Sequence, residues 1–290
     1  LRIGIDAIKR MAIRLGMTEK FIEDIISKQM PGIIPDRKWK EKNVGSKWVH
    51  GDTVISGIGQ GFILVNCMQL AVMMARVASN RRVVPRLIYD EKKPEFPSME
   101  LQEKNIRHVL DGLEEVLKKG GTAFGSAINV NGAKMGGKTG TSQVRSISRA
   151  ERISGVLTNE QLKWNMRNHG LFVGYAPTNA PKYAVCVITE HSGGSGSAAR
   201  TAVCVIGNGA RLAPLCVERN ISRRSIGSTC IANPCAATCC CMPTYEHKAA
   251  TCGSGKCNCG ACRRSIANGL TAITTVCIVC NSILYTSPLC

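Results

Sequence analysis

Apolar residues recur at helical spacing near the start of the chain, first Ile8, Met11, Ala12 and Leu15 and then Phe21, Ile22, Ile25 and Ile26, with Gly16 between the two sets. The spacing predicts two short helices within residues 4–28. Residues 29–50 lose that period and carry Pro31, Gly32, Pro35 and Gly45 among lysines, the composition of a surface connector. Residues 51–61 then lead into a long apolar helix running to about residue 78, opened by the capping-box spacing Asn66-x-x-Gln69. Leu70, Val72, Met73, Met74 and Val77 surround this helix on most sides, which predicts that it is buried in the core. Ser79-Asn80 ends it, and residues 82–88 read as a strand.

A further amphipathic helix is predicted over residues 105–118, with Ile106, Val109, Leu110, Leu113, Val116 and Leu117 on one face and Gly120-Gly121 as its stop. Three strand-like runs follow, at 137–144, 170–175 and 183–190, with Pro177-Thr178-Asn179 as a tight turn between the last two. Helices followed by antiparallel strands on short turns indicate an α+β layer architecture. A last helix covering the sheet is expected after Gly196, and Ala198 to Ala202 begin one.

The length of 290 residues suits one large domain or two smaller ones. A net charge of +18 suits an anionic partner, whether nucleic acid, a membrane surface or a cell-wall polymer. Aromatics make up only 4% of the chain and do not interleave with the basic residues, so a base-stacking platform has little support and no nucleic-acid partner is expected. The first ten residues read as a helix already under way, without an initiator Met or a leader, so the start is expected to be truncated. The late apolar stretch 273–284 contains Thr274, Thr275, Asn281 and Ser282 and is too short to span a bilayer.

Candidate chemistry concentrates in Gly137-Lys138-Thr139-Gly140-Thr141, which places an ammonium, two hydroxyls and an unhindered backbone in a few residues of strand. Lys138 can attract a carboxylate, the Thr139 and Thr141 hydroxyls can hydrogen-bond it, and Gly140 lets a ligand backbone lie close. The N–H that follows the glycine can point at a developing oxyanion.

The order and spacing of Gly51-Asp52-Thr53, Gly57-Ile58-Gly59-Gln60-Gly61, Gly121-Thr122-Ala123, Lys138-Thr139-Gly140-Thr141 and residues 171–177 closely resemble the class B penicillin-binding proteins, the penicillin-binding protein 2 group above all. The resemblance covers residues 1–202. It implies the penicillin-binding, β-lactamase-like transpeptidase fold, an antiparallel sheet with helices on both faces, here incomplete at both ends. It implies peptidoglycan D,D-transpeptidation in cell-wall elongation, with stem peptides and β-lactams as ligands and no cofactor. A serine would take the penultimate D-Ala, release the terminal one and pass the acyl group to an amine. Lys138, Thr139 and Thr141 then bind the carboxylate, and the Thr141 N–H joins the oxyanion hole. An elongation-complex glycosyltransferase is the implied partner, and the periplasmic face of a bacterial inner membrane the implied location. The family also needs Ser-x-x-Lys and Ser-x-Asn or Ser-x-Asp motifs, and none occurs among these 290 residues. The chain alone is therefore expected to be inactive. The alternatives are a non-catalytic relic of the fold and a cysteine-rich metal-binding protein on a transpeptidase scaffold.

Other constellations carry less. The alternating glycines 57, 59 and 61 lack the phosphate-loop pattern and predict close packing against a helix. His169 and His191 read as ordinary surface or strand-end histidines, without a spaced partner for metal or catalysis. Fourteen of the 16 cysteines lie between Cys204 and Cys290, and after Ala202 the only acids are Glu218 and Glu246. The spacings Cys252-x4-Cys257-x-Cys259-x2-Cys262 and Cys277-x2-Cys280 can bind zinc, but Cys239-Cys240-Cys241 cannot converge on one ion. Residues 203–290 are therefore expected to be a separate tail, disordered or translated out of frame, with no metal assigned.

Overall fold

The computed structural model describes residues 3–21, 29–86, 95–128, 132–203, 206, 274–280 and 283–289. Its helices are α1 (Ile5–Arg14), α2 (Arg37–Val44), α3 (His50–Gly57), α4 (Cys67–Ser79), α5 (Glu103–Glu115), α6 (Arg149–Ser154) and α7 (196–203). Five strands, β1 (Gly136–Ser142), β2 (His169–Ala176), β3 (Tyr183–Thr189), β4 (Thr274–Cys280) and β5 (Ile283–Leu289), form one antiparallel sheet in chain order.

The α+β expectation holds, and both faces of β2 and β3 are covered. Side chains alternate across a strand with period two. Val173 and Tyr175 with Ala184 and Cys186 pack under α4, while Phe172 and Ala176 with Tyr183, Val185 and Val187 pack beneath Ala198, Ala199 and Ala202 of α7. Double burial explains why these strands read as continuous apolar runs rather than alternating ones. The capping box at α4 forms as spaced: Gln69 N–H donates to Asn66 Oδ1 and Asn66 N–H to Gln69 Oε1, both at 2.9 Å.

The connector 29–50 is not all loop. Asp36 caps α2 by accepting from Trp39 N–H at 2.7 Å, and Gly45 ends the helix at φ 73°. Lys40 is only 8% exposed because its ammonium reaches Asp52 at 2.6 Å and the Lys47 carbonyl at 3.1 Å. Asp52 also accepts from Val49 N–H at 2.7 Å, so the Gly51-Asp52-Thr53 motif holds the entry to α3. These contacts hold the Asp52 carboxyl below its ordinary value, the Lys40 bond being the largest cause.

The strand expected at 82–88 does not form over its described part, because its backbone groups are claimed elsewhere. Arg82 N–H bonds Pro97 O at 2.9 Å, the Val83 carbonyl accepts from Arg76 Nε at 3.1 Å, and Pro85 has no N–H. Residues 87–88 lie outside the described residues, as do 22–28 of the second expected helix and the cysteine-rich stretch 207–273. In the expected tail, β4 pairs with β3, Cys277 standing opposite Cys186, and β5 pairs with β4.

Arg76 has no solvent exposure. Its guanidinium donates to both carboxylate oxygens of Glu19 at 2.9 and 2.8 Å, to Arg14 O at 3.0 Å and to Val83 O. A buried cation stripped of water is tolerated only when so paired. We predict that Arg76→Met lowers stability by about 3 kcal/mol, read as a fall in the urea midpoint at unchanged slope. The Arg76 bond holds the Glu19 carboxyl below its ordinary value. That contribution is present above the ordinary carboxylate value and is lost as pH falls below it. Glu19→Gln should therefore flatten part of the acid-induced loss of stability, leaving the part due to the other carboxyls held below their ordinary values, Asp36, Asp52, Glu151 and Glu160.

Candidate functional site

β1 is the edge strand, bonded to β2 in a register that sets Lys138 opposite Val173, Thr139 opposite Phe172 and Gly140 opposite Leu171. Two glycines let it lie this close. A Cβ at Gly136 would come within 2.6 Å of the Tyr175 ring, and one at Gly137 within 2.4 Å of the Phe172 ring. Tyr175 is fully buried, its hydroxyl has no partner among the described residues, and burial, with Glu114 and Asp111 nearby, pushes it up to about 12.

The turn after α5 brings a further hydroxyl to the strand. Ala123 N–H bonds Val116 O at 2.9 Å, and Gly121 sits where a Cβ would collide with the carbonyls of Glu115 and Val116 at 2.3 Å. That tight turn sets Thr122 Oγ1 2.9 Å from Thr139 Oγ1. The Lys138 ammonium donates to Thr139 O at 2.8 Å and lies 3.4 Å from Thr139 Oγ1. The Lys138 and Thr141 side chains are exposed, and a Cβ at Gly140 would touch only Leu171 Cβ, at 3.4 Å. All four predicted residues thus share the edge of one strand. At its far end Gln60 Nε2 donates to Thr141 O at 3.2 Å.

Chemically the arrangement offers groups that can recognise an anion. Lys⁺ has no acceptor, so it must donate into Thr139. When Thr122 also donates to Thr139 Oγ1, the Thr139 hydroxyl proton is left for a ligand oxygen. Neither Thr122, 17 positions from its partner, nor Gln60, 81 positions away, is identified as a site residue by sequence reasoning. The only signal was their membership of short glycine-containing motifs.

His169 and His191, read separately from sequence, meet at this same end of β1, where Ser142 stands opposite His169. Their rings lie 4.6 Å apart and Trp164 packs 4.6 Å from His191. His169 Nδ1 accepts from His191 N–H at 2.9 Å, and burial holds its ring below the ordinary value. Among the described residues no three potential ligands gather around a metal position. A cavity of about 180 Å³ lies two strands from β1, lined by Ala75, Ala78, Val83, Phe96, Pro181 and Tyr183, and holds none of the candidate residues.

Comparison with known proteins places this geometry. The family described as penicillin binding protein transpeptidase domain matches residues 1–205. The chain is similar to the peptidoglycan D,D-transpeptidase MrdA of Acinetobacter baumannii, 31% identical over 216 residues covering 69% of this chain and 30% of the relative. MrdA of Escherichia coli is 30% identical over 189 residues, covering 61% and 29%. The chain thus spans about 30% of the length of these curated relatives. Among solved structures it resembles a complex between PBP2 and MreC from Helicobacter pylori, at TM-score 0.60 and 26% identity over 74% of this chain and 37% of that one. Pseudomonas aeruginosa PBP2 in complex with WCK 5153 gives TM-score 0.54 and 29% identity over 73% and 44%. With the matched segment running from α1 through α7 and containing the Lys138 strand, the chain belongs to the penicillin-binding protein transpeptidase domain family.

Proposed function

We propose that this chain supplies the carboxylate-binding wall of a peptidoglycan D,D-transpeptidase site of the MrdA type. The observation that carries the reading is the Lys138–Thr139–Thr122 cluster on the open edge of β1. A stem peptide ending in D-Ala-D-Ala is an extended anion, and this edge offers it one ammonium, two hydroxyls and unhindered backbone at Gly140. In the reaction a serine oxygen adds to the carbonyl of the penultimate D-Ala, and the bond to the terminal D-Ala nitrogen breaks. The terminal D-Ala leaves with a proton, and an acceptor amine then displaces the serine from the ester. Lys138, Thr139 and Thr122 hold the terminal carboxylate until the terminal D-Ala leaves, and the Thr141 N–H stabilises the negative oxygen of the adduct.

No serine among the 290 residues is followed three places on by lysine. We therefore assign these residues to binding and transition-state stabilisation, the attacking serine being outside them. For the whole protein we infer β-lactams as covalent ligands, an elongation-complex glycosyltransferase as partner and the periplasmic face of an inner membrane as location. No described helix is long and apolar enough to cross a membrane.

The 290-residue chain should bind a D-Ala-D-Ala-terminated peptide reversibly, with Lys138→Ala weakening it roughly ten- to hundredfold by titration calorimetry. Unchanged affinity in that variant would remove the assignment. Thr122→Val should cost about threefold and Thr122→Ser restore affinity, since only the hydroxyl matters. Exposure to a fluorescent penicillin should leave no covalent band on a denaturing gel; a band would show that a nucleophile does lie within these residues.

A further inference from the structure

The loop joining α3 to α4 was expected to use its glycines for close packing, and the structure gives another reason for them. A Cβ at Gly57 or Gly59 would meet nothing within 4 Å and only one at Gly61 would crowd α3, 3.0 Å from Ile55 Cγ2, whereas Gly59 and Gly61 have φ of 74° and 80°. That conformation favours glycine. The two left-handed residues flank Gln60, whose own N–H bonds Ile55 O at 3.1 Å. The loop is thus shaped around one side chain. That side chain crosses to β1 and donates to Thr141 O at 3.2 Å.

An antiparallel edge strand directs the N–H and C=O of alternate residues away from its neighbour. Residues 139 and 141 share that phase in β1, and outside donors reach both carbonyls, Lys138 Nζ at Thr139 O (2.8 Å) and Gln60 Nε2 at Thr141 O (3.2 Å). The free edge is therefore capped by side chains. A peptide laid along β1 must approach from this same side, and its backbone N–H needs the acceptor that Gln60 now occupies.

We propose that Gln60 is a strap on the binding edge: its carboxamide holds the place of a ligand N–H on Thr141, and an extended peptide seats only by displacing it. The inference rests on the reading that a peptide binds along β1. Displacement is cheap because it breaks one neutral hydrogen bond of a partly exposed side chain. The bond from Gln60 N–H to Ile55 O keeps the loop in shape when the side chain swings away. The strap also blunts an edge that would otherwise offer unpaired carbonyls to another chain's strand.

The test uses the 290-residue chain, a diacetyl-Lys-D-Ala-D-Ala peptide as probe, and Gln60→Met, which keeps side-chain length and removes the donor. We expect the variant to bind the peptide roughly three- to tenfold more tightly, with an unchanged thermal midpoint. A side chain that merely supported the fold would change affinity in the opposite sense. In the unsubstituted chain, titration should shift the Gln60 side-chain amide resonances together with the backbone resonances of Lys138 and Thr141, and this readout decides even if the variant fails to fold. Equal or weaker binding by a folded variant overturns the strap. So do unmoved Gln60 amide resonances while those of Lys138 and Thr141 shift. If the peptide moves none of these resonances in either chain, the binding reading itself fails and the strap falls with it.

Discussion

A guanidinium with no contact to water must find an acceptor for its charge and its donors from within the protein, and Arg76 finds them in three separate segments. Glu19 takes the charge, Arg14 O ends α1, and Val83 O fixes the chain that leaves α4. Even Gly16 is set by it, since a Cβ there would stand 2.8 Å from Nη1. The back of α4 is thereby pinned while its other side packs on Val173, Tyr175, Ala184 and Cys186. Because the loop carrying Gln60 runs directly into α4, the pinned helix also sets where that loop meets the edge of β1.

The site depends on a second constraint, the crowding that holds β1 flat against β2. Gly136 and Gly137 face the Tyr175 and Phe172 rings with no room for a side chain. The strand can present Lys138, Thr139 and Thr141 outward only because the residues before them are bare. On the other side, the turn at Gly121 brings Thr122 in by the same absence of a Cβ. The proposed recognition chemistry is assembled by close approach of backbone, and the polar groups follow.

What was legible in the sequence was local. The capping spacing at Asn66, the doubly buried runs of β2 and β3 and the contiguous Lys138-Thr139-Gly140-Thr141 string each lie within a few residues, so their pattern survives in one dimension. α2 was missed because its residues are mostly charged and its apolar positions too few to show a period. The strand expected after residue 82 failed because a side chain from α4 takes a ladder carbonyl, which no local propensity records. The close packing expected of the glycines at 57–61 is found only at Gly61, where a Cβ would stand 3.0 Å from Ile55 Cγ2; Gly57 and Gly59 face open space, and Gly59 and Gly61 serve backbone angle. Thr122 and Gln60 join the site only through contacts made across the fold. His169 and His191, distant in sequence, meet edge to face for the same reason.

The account turns on whether a peptide carboxylate is held at the open edge of β1. A structure of this chain with a D-Ala-D-Ala-terminated peptide tests that directly. The account predicts the terminal carboxylate within about 2.7–3.1 Å of Lys138 Nζ and the Thr139 hydroxyl, with the peptide extended along residues 139–141. A peptide seated instead in the cavity beside Phe96 and Tyr183, with the β1 edge empty, would contradict it.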